Sequence, residues 1–308
     1  MNENFYKKSG IVISKLARDL IVTKPGTRLP SLVEYAQRLD VSRGVIQQGL
    51  AFLEENKSIK IIKSHGTGTV LESADLSQLR ENTGWDIITI NMPVPGTTSL
   101  SSLTSSLYQL NSDFPVPIAM VYVTGSENRL NYLKKNIYDA IVVSAASAKS
   151  YCAKYDFLDE PIVLDKCQYA GEFCAYFADP NETSVKDGMR VPYDPSSSDH
   201  YEITKAMCQG KNVTWIETPF LLLSETLKNG KADVLFHRRE YPMHQFEYLN
   251  PIPVELDGFS SYDMTTPVIL FNKENYGIRN LFKHFLSISK IQDHQGKVLR
   301  GELEPRFF

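Results

Sequence analysis

Residues 10–72 hold three apolar stripes of helical period followed by a hairpin pattern, and this run limits the possible folds more than any other feature. Ile13, Leu16, Ala17, Leu20 and Ile21 fall at i, i+3, i+4, i+7 and i+8, one face of an amphipathic helix. Lys24-Pro25-Gly26-Thr27 breaks it. Ser31 with Glu34 three residues on is the sequence of a capping box, which opens a second helix with Leu32, Tyr35, Ala36 and Leu39 inward. Asp40-Val41 leaves room for a tight turn only, and Ser42 opens a third helix lined inside by Ile46, Leu50 and Leu53. Lys57 and Ser58 interrupt it. Ile59–Ile62 and Thr69–Leu71 then read as short strands on either side of a tip at 63–68.

Helix, helix, tight turn, helix, hairpin is the order of a winged helix-turn-helix. The third helix carries the functional signal. Once Ile46, Leu50 and Leu53 face the core, Arg43, Gly44, Gln47 and Gln48 face out. A surface of Arg and Gln with no acid in two turns suits a DNA major groove: Arg bonds guanine bidentately, and Gln does the same for adenine. Ser42 and the helix start suit a phosphate. At the hairpin, Gly66 and Gly68 let backbone approach a sugar-phosphate ribbon, which Lys63, His65 and Thr67 could follow.

These residues carry a family resemblance. Pro25-Gly26-Thr27-Arg28-Leu29-Pro30-Ser31, then Glu34, Ala36, Leu39, Val41-Ser42-Arg43, Leu50, Leu53 and Gly66-Thr67-Gly68-Thr69-Val70 resemble the DNA-binding domain of the GntR superfamily. The resemblance implies that Arg43 and its neighbours read DNA, that the Gly66/Gly68 wing touches backbone or minor groove, and that Arg28 and Ser31 join the contact set. It also implies a homodimer on paired half-sites. The chain departs from the pattern at Val33, Gly44 and Val45, where the superfamily usually places Arg and Thr or Ser.

Residues 1–72 hold 11 Lys/Arg against 7 Asp/Glu, whereas 73–308 hold 22 against 29. A basic front and an acidic back point to a polyanion met by the front alone. Residues 73–84 are polar and read as a linker, which sets the domains at 1–72, 73–84 and 85–308.

After the linker, strand and helix patterns alternate. Trp85–Met92, Pro117–Thr124 and Asp139–Val143 read as strands, and Ser99–Asn111 and Glu127–Asn136 as helices. Apolar strands alternating with helices imply an α/β region with a mostly parallel sheet. An internal echo stands out. Leu133 to Val143 and Leu227 to His237 both run from a helix end through a turn and an Asp into an apolar strand, with six residues from Leu to Asp. Two similar lobes are one explanation, and two unrelated turns of a common kind are the other. This pattern, with the start Asp86-Ile-Ile-Thr-Ile-Asn-Met-Pro, resembles the type 2 periplasmic-binding-protein fold. A GntR-type winged helix joined to such a two-lobed sensor resembles the YhfZ-like regulators.

In open α/β sheets ligands sit beyond strand C-termini, at helix starts. The candidates there are Thr97, Thr98 and Ser99; Ser144 and Ser147; Ser196, Ser197 and Ser198; Thr218; and His237 with Arg238. Hydroxyls, helix-start amides and arginine suit a small anionic metabolite. The same Ser and Thr could equally be N-caps and turn formers.

No P-loop, H-E-x-x-H or G-x-S-x-G occurs, and the histidines show no metal-ligand spacing. Asp199-His200 could imitate a nucleophile–base pair, but such partners are rarely sequence neighbours. The expectation is a non-enzyme with no cofactor and no metal. Cys152, Cys167, Cys174 and Cys208 form no C-x-x-C pair and read as reduced thiols. No apolar run reaches about 18 residues, and the first residues lack a signal-peptide pattern, so no membrane is expected and the cytoplasm is. The reading is a DNA-binding regulator with a small-molecule effector. The alternative is a solute-binding or scaffold protein whose winged helix no longer binds DNA.

Overall fold

The computed structural model describes residues 8–64, 68–240, 243–255 and 260–307, the side chains of Lys8, Ser64 and His244 excepted. His65, Gly66 and Thr67 of the expected wing tip lie outside the described residues. The chain forms two compact units, the first made of the residues through Ile88 with Leu110–Ile118 and Glu274–Leu286, the second of the remainder.

The first unit begins with helices α1 (Lys8–Leu20), α2 (Leu32–Leu39) and α3 (Arg43–Glu55). Leu16 and Leu20 of α1 and Ile46 and Leu53 of α3 are fully buried where the two helices meet. Gly49 lets them approach: a Cβ there would lie 2.8 Å from Leu16 Cδ1. The capping box at α2 forms as the spacing requires. The Ser31 hydroxyl accepts from the Glu34 amide, and the Glu34 carboxylate accepts from the Ser31 amide. Asp40 then turns the chain in a left-handed conformation (φ 54°). Strands β1 (Ile59–Ser64) and β2 (Gly68–Ala74) pair antiparallel, and Arg28 bridges Val70 as a short third strand.

Residues 73–84, read above as a linker, are instead the end of β2 and helix α4 (Leu76–Thr83), capped by Asp75 and packed on α1. The segment is polar because α4 buries only one narrow face, through Leu79 and Thr83. Two segments distant in sequence complete this unit. Arg18 donates to the Thr83 carbonyl at 2.8 Å and to the Tyr276 carbonyl at 3.2 Å, with its guanidinium over the Trp85 ring. The Tyr276 hydroxyl donates to Asp19 at 2.8 Å, and Phe114 sits edge-on to Phe282.

The second unit has two α/β lobes. The first contains β3 (Ile88–Met92), α5 (Thr98–Tyr108), β4 (Ile118–Tyr122), α6 (Ser126–Lys134), β5 (Ala140–Ser144), α7 (Ala145–Lys154) and β6 (Ile162–Val163). The chain then crosses into the other lobe: β7 (Phe173–Phe177), β8 (Arg190–Tyr193), α8 (Ser198–Met207), β9 (Thr214–Glu217), α9 (Leu223–Lys228), β10 (Val234–Arg238) and β11 (Ile252–Pro253). It returns through α10 (Ser261–Thr265) and β12 (Pro267–Phe271), passes through α11 (Ile278–Phe285), which belongs to the first unit, and ends in α12 (Ile288–Leu299). The sheets run β4-β3-β5-β12-β6 in one lobe, and β10-β7-β11 with a β8-β9 pair in the other.

The expected mostly parallel sheet is mixed instead. β3 with β5 and β8 with β9 are parallel, but β12 is antiparallel to β5 and β6, and β7 to β10 and β11. Parallel neighbours need a helical crossover between them. β7 and β12 each arrive from the other lobe, so nothing forces them parallel.

The internal echo marks equivalent elements. Asn136 and Gly230, each three residues after the echoed leucine, both take left-handed φ (51° and 64°). Asp139 then accepts from the Thr89 amide of β3, and Asp233 from the Arg190 amide of β8, both at 2.8 Å. Each carboxylate ties the start of its own strand to another strand of its lobe.

Candidate functional site

On the first unit, the outward face of α3 holds Arg43, Gly44, Gln47 and Gln48, all exposed. Ser42 stands at the N-cap but makes no side-chain cap bond, so its hydroxyl is left to an outside acceptor or phosphate. Ser31, by contrast, is committed to the capping box, though still exposed. Arg28 is exposed and lies over Gly68, whose φ of +85° favours glycine. Lys63 is exposed on β1, paired with Thr69. The structure thus places Arg43, Gly44, Gln47, Gln48 and Ser42 on one helix, and Arg28, Lys63 and Gly68 on the wing.

The second unit contains a cleft of about 290 Å³. Its floor and walls come from strand ends and helix starts of both lobes, with Thr97, Ser126 and Arg129 from one and Ser197, His200 and Arg238 from the other.

Direct bonds join the lobes around it. The Ser126 hydroxyl at the start of α6 accepts from the Ser198 amide at 3.2 Å. The Ser147 hydroxyl donates to Asp199 at 2.7 Å. The amide and hydroxyl of Ser99 donate to the two oxygens of Glu240, at 3.1 and 2.6 Å. Gly125 (φ +79°) presses on Ser196, and a Cβ there would lie 2.7 Å from the Ser196 carbonyl oxygen.

Of the hydroxyl-rich segments, only part reaches the cleft. Thr97, Ser197, His237 and Arg238 line it. Thr97 also caps α5, as Ser144 caps α7. Ser99, Ser147 and Ser198 serve the bonds between lobes. Ser196 bonds Asp194, Thr218 bonds its own loop at the Ile216 carbonyl, and Thr98 points to solvent. The α5 start, which suits an anion, already holds one: the Glu240 carboxylate.

Sequence reasoning named His237 and Arg238 but missed Arg129 and did not place His200 at the cleft. Arg129 is 2% exposed, donates to the Val123 carbonyl at 2.9 Å and the Tyr169 hydroxyl at 3.3 Å, and leaves its Nε without a partner. Arg238 donates to the Gly171 and Met264 carbonyls, with its guanidinium 4.6 Å from the Phe173 ring centre. Burial pushes its pKa down. His200 donates from Nε2 to the Phe236 carbonyl at 3.0 Å, since that oxygen can only accept, and its Nδ1 has no partner. Burial lowers the His200 pKa to about 3 and that of His237 to about 4, with the neighbouring His237 adding to the effect at His200. Both rings are therefore neutral, and Phe220 stacks on His237 at 5.0 Å. Thr124-Gly125-Ser126, the turn between a strand and a helix, is the sequence signal that could have pointed here.

The four cysteines are unpaired, and among the described residues no cluster of His, Cys, Asp or Glu could hold a metal. Among the same residues no helix is long and apolar enough to cross a membrane.

Comparison with known proteins agrees with this architecture. A helix-turn-helix domain family model matches residues 24–71. The uncharacterized protein YhfZ of Escherichia coli (strain K12) is 27% identical over 312 residues, covering 100% of both chains. The crystal structure of YhfZ from Shigella flexneri superposes with a TM-score of 0.60 at 22% identity, covering 75% of this chain and 98% of that one. A periplasmic substrate-binding protein of an ABC transporter from Coxiella burnetii gives a TM-score of 0.46 at 10% identity, covering 71% of this chain and 100% of that one. The YhfZ C-terminal domain model matches residues 75–307, and with three quarters of its length inside that match the chain belongs to the YhfZ C-terminal domain family.

Proposed function

We propose that the protein is a cytoplasmic transcriptional regulator whose operator affinity is set by a small anionic metabolite held between the two lobes of its second unit. The uncommitted outer face of α3 carries this reading: Arg43, Gln47 and Gln48 stand exposed behind a Ser42 hydroxyl that caps nothing. Such a face has the donors for base edges and phosphate. The cleft supplies the sensor. A ligand that binds the joined lobes more tightly than the separated ones shifts that equilibrium, and with it the placement of two winged helices in a homodimer. Paired half-sites would stand about 34 Å apart.

Selecting genomic DNA fragments with the purified chain at physiological salt tests this. One enriched palindrome is the expected result. Arg43→Ala then weakens binding to it by about 1–3 kcal/mol and relaxes one base position. Unchanged affinity removes Arg43 from the reading face. Binding that is weak on every sequence leaves the solute-binding or scaffold reading, which the exposed apolar Val33 on α2 favours.

A further inference from the structure

We propose that the start of α5 is a carboxylate-binding site, that the chain fills it with its own Glu240, and that this contact latches the two lobes together without an effector. The latch and the sensor reading above can fail independently, because the latch needs neither effector nor operator to be measured.

Glu240 lies two residues beyond β10, in the lobe opposite α5. Its two oxygens accept from the Ser99 amide at 3.1 Å and from the Ser99 hydroxyl at 2.6 Å. Ser99 is the second residue of α5, where an amide has no carbonyl of its own helix to bond and the helix dipole favours an anion. A carboxylate gripped there by an N–H and an O–H is held as a free carboxylate ligand would be. The seat is built for that group. Ser99 is 1% exposed. Gly171 lies against the carboxylate, and a Cβ there would overlap its oxygen. Gln295 of α12 donates to the Ser99 carbonyl and the Ser102 hydroxyl, so α5 is anchored from its other side. Arg238 feels the same charge: burial pulls its pKa down, and Asp199, Tyr169 and Glu240 oppose that.

Two other helix starts also bond across the lobes. The Glu127 amide of α6 donates to the Ser196 carbonyl, and the Ser198 amide of α8 to the Ser126 hydroxyl, both at 3.2 Å. Those are single bonds between neutral groups. Glu240 makes two bonds with a carboxylate as acceptor, each roughly twice as strong as a neutral one. It therefore sets how far the free protein already leans toward the joined form, and so how large a shift an effector can still add.

Hydrogen exchange on the full chain, resolved to single amides by mass spectrometry and with no effector added, tests the proposal. The Glu127 and Ser198 amides sit in first turns and bond only to the other lobe, so their exchange reports lobe separation at contacts that do not involve Glu240. Glu240→Ala is expected to speed exchange at both, and at Ser99, by about tenfold or more. Sodium formate is then expected to slow exchange at Ser99 again, where sodium chloride at equal ionic strength does not. Unchanged exchange at Glu127 and Ser198 overturns the latch and leaves Glu240 a local contact. Formate acting no better than chloride overturns the carboxylate site. Ser99→Ala deletes the hydroxyl and keeps the amide. It is expected to speed the same two amides by a smaller factor, and it decides the latch if the Glu240 variant misfolds.

Discussion

Gly125→Val is expected to make operator affinity the same with and without effector, and to weaken effector binding by about tenfold or more. Two penalties act together at this position. A φ of +79° is unfavourable for a β-branched residue. The added side chain would also enter the space of the Ser196 carbonyl, only 2.7 Å from the new Cβ. Backbone cannot yield as a flexible side-chain end can, so the lobes must separate there. Separation breaks the Glu127 amide bond to the Ser196 carbonyl and the Ser198 amide bond to the Ser126 hydroxyl, both 3.2 Å. Calorimetry and operator binding, each with and without ligand, read the result. Gly188→Val is the control: its φ of +83° carries the same strain, but nothing lies within 4 Å of the added Cβ. If Gly125→Val responds to effector as the Gly188 variant does, lobe contact at this point has no part in sensing.

Acid is expected to destabilise the protein well above the pH at which carboxylates titrate. In the unfolded chain His200 and His237 take up protons near pH 6.5. In the fold they do so only near about 3 and about 4. Between these limits the unfolded state binds more protons, so stability rises with pH and falls on acidification. The slope is about 1.4 kcal/mol per pH unit for each histidine, or about 2 kcal/mol each between pH 6.5 and 5. His284 and His294, also lowered by burial, act in the same direction. Urea unfolding midpoints at several pH values measure the slope. The double variant His200→Phe with His237→Phe keeps the ring packing and is expected to flatten it. An unchanged slope would mean that the two rings are protonated in the fold.

Local chemistry was legible in the sequence, and long-range chemistry was not. The Ser31–Glu34 capping box needs only its own three-residue spacing, and it forms as read. The outward set on α3 follows from which of its residues are apolar. The echo between Leu133–Val143 and Leu227–His237 marked two equivalent strand starts because helix end, turn and Asp are all neighbours in sequence. The direction of β12, however, depends on β5, more than 120 residues earlier. The Ser and Thr clusters misled in part because a hydroxyl that caps a helix and one that faces a ligand look alike in sequence. Ser144 caps, Ser147 holds Asp199, and Ser197 faces the cleft. Arg129 lies within an ordinary polar helix, where nothing announces that its guanidinium is buried. Helix α4 was hidden because a single buried leucine and threonine are too few to show a period.

The first unit draws on Leu110–Ile118 and Glu274–Leu286 as well as on the residues through Ile88. The helix-turn-helix unit is therefore not a single detachable stretch of chain. A fragment ending within 73–84 would lose Trp85 and Tyr276, and with them the ring under the Arg18 guanidinium, one of its carbonyl acceptors and the hydroxyl that donates to Asp19. Grafting this head onto another sensor would have to carry all three stretches of chain. A single junction in the chain therefore cannot exchange the sensor while leaving the first unit whole.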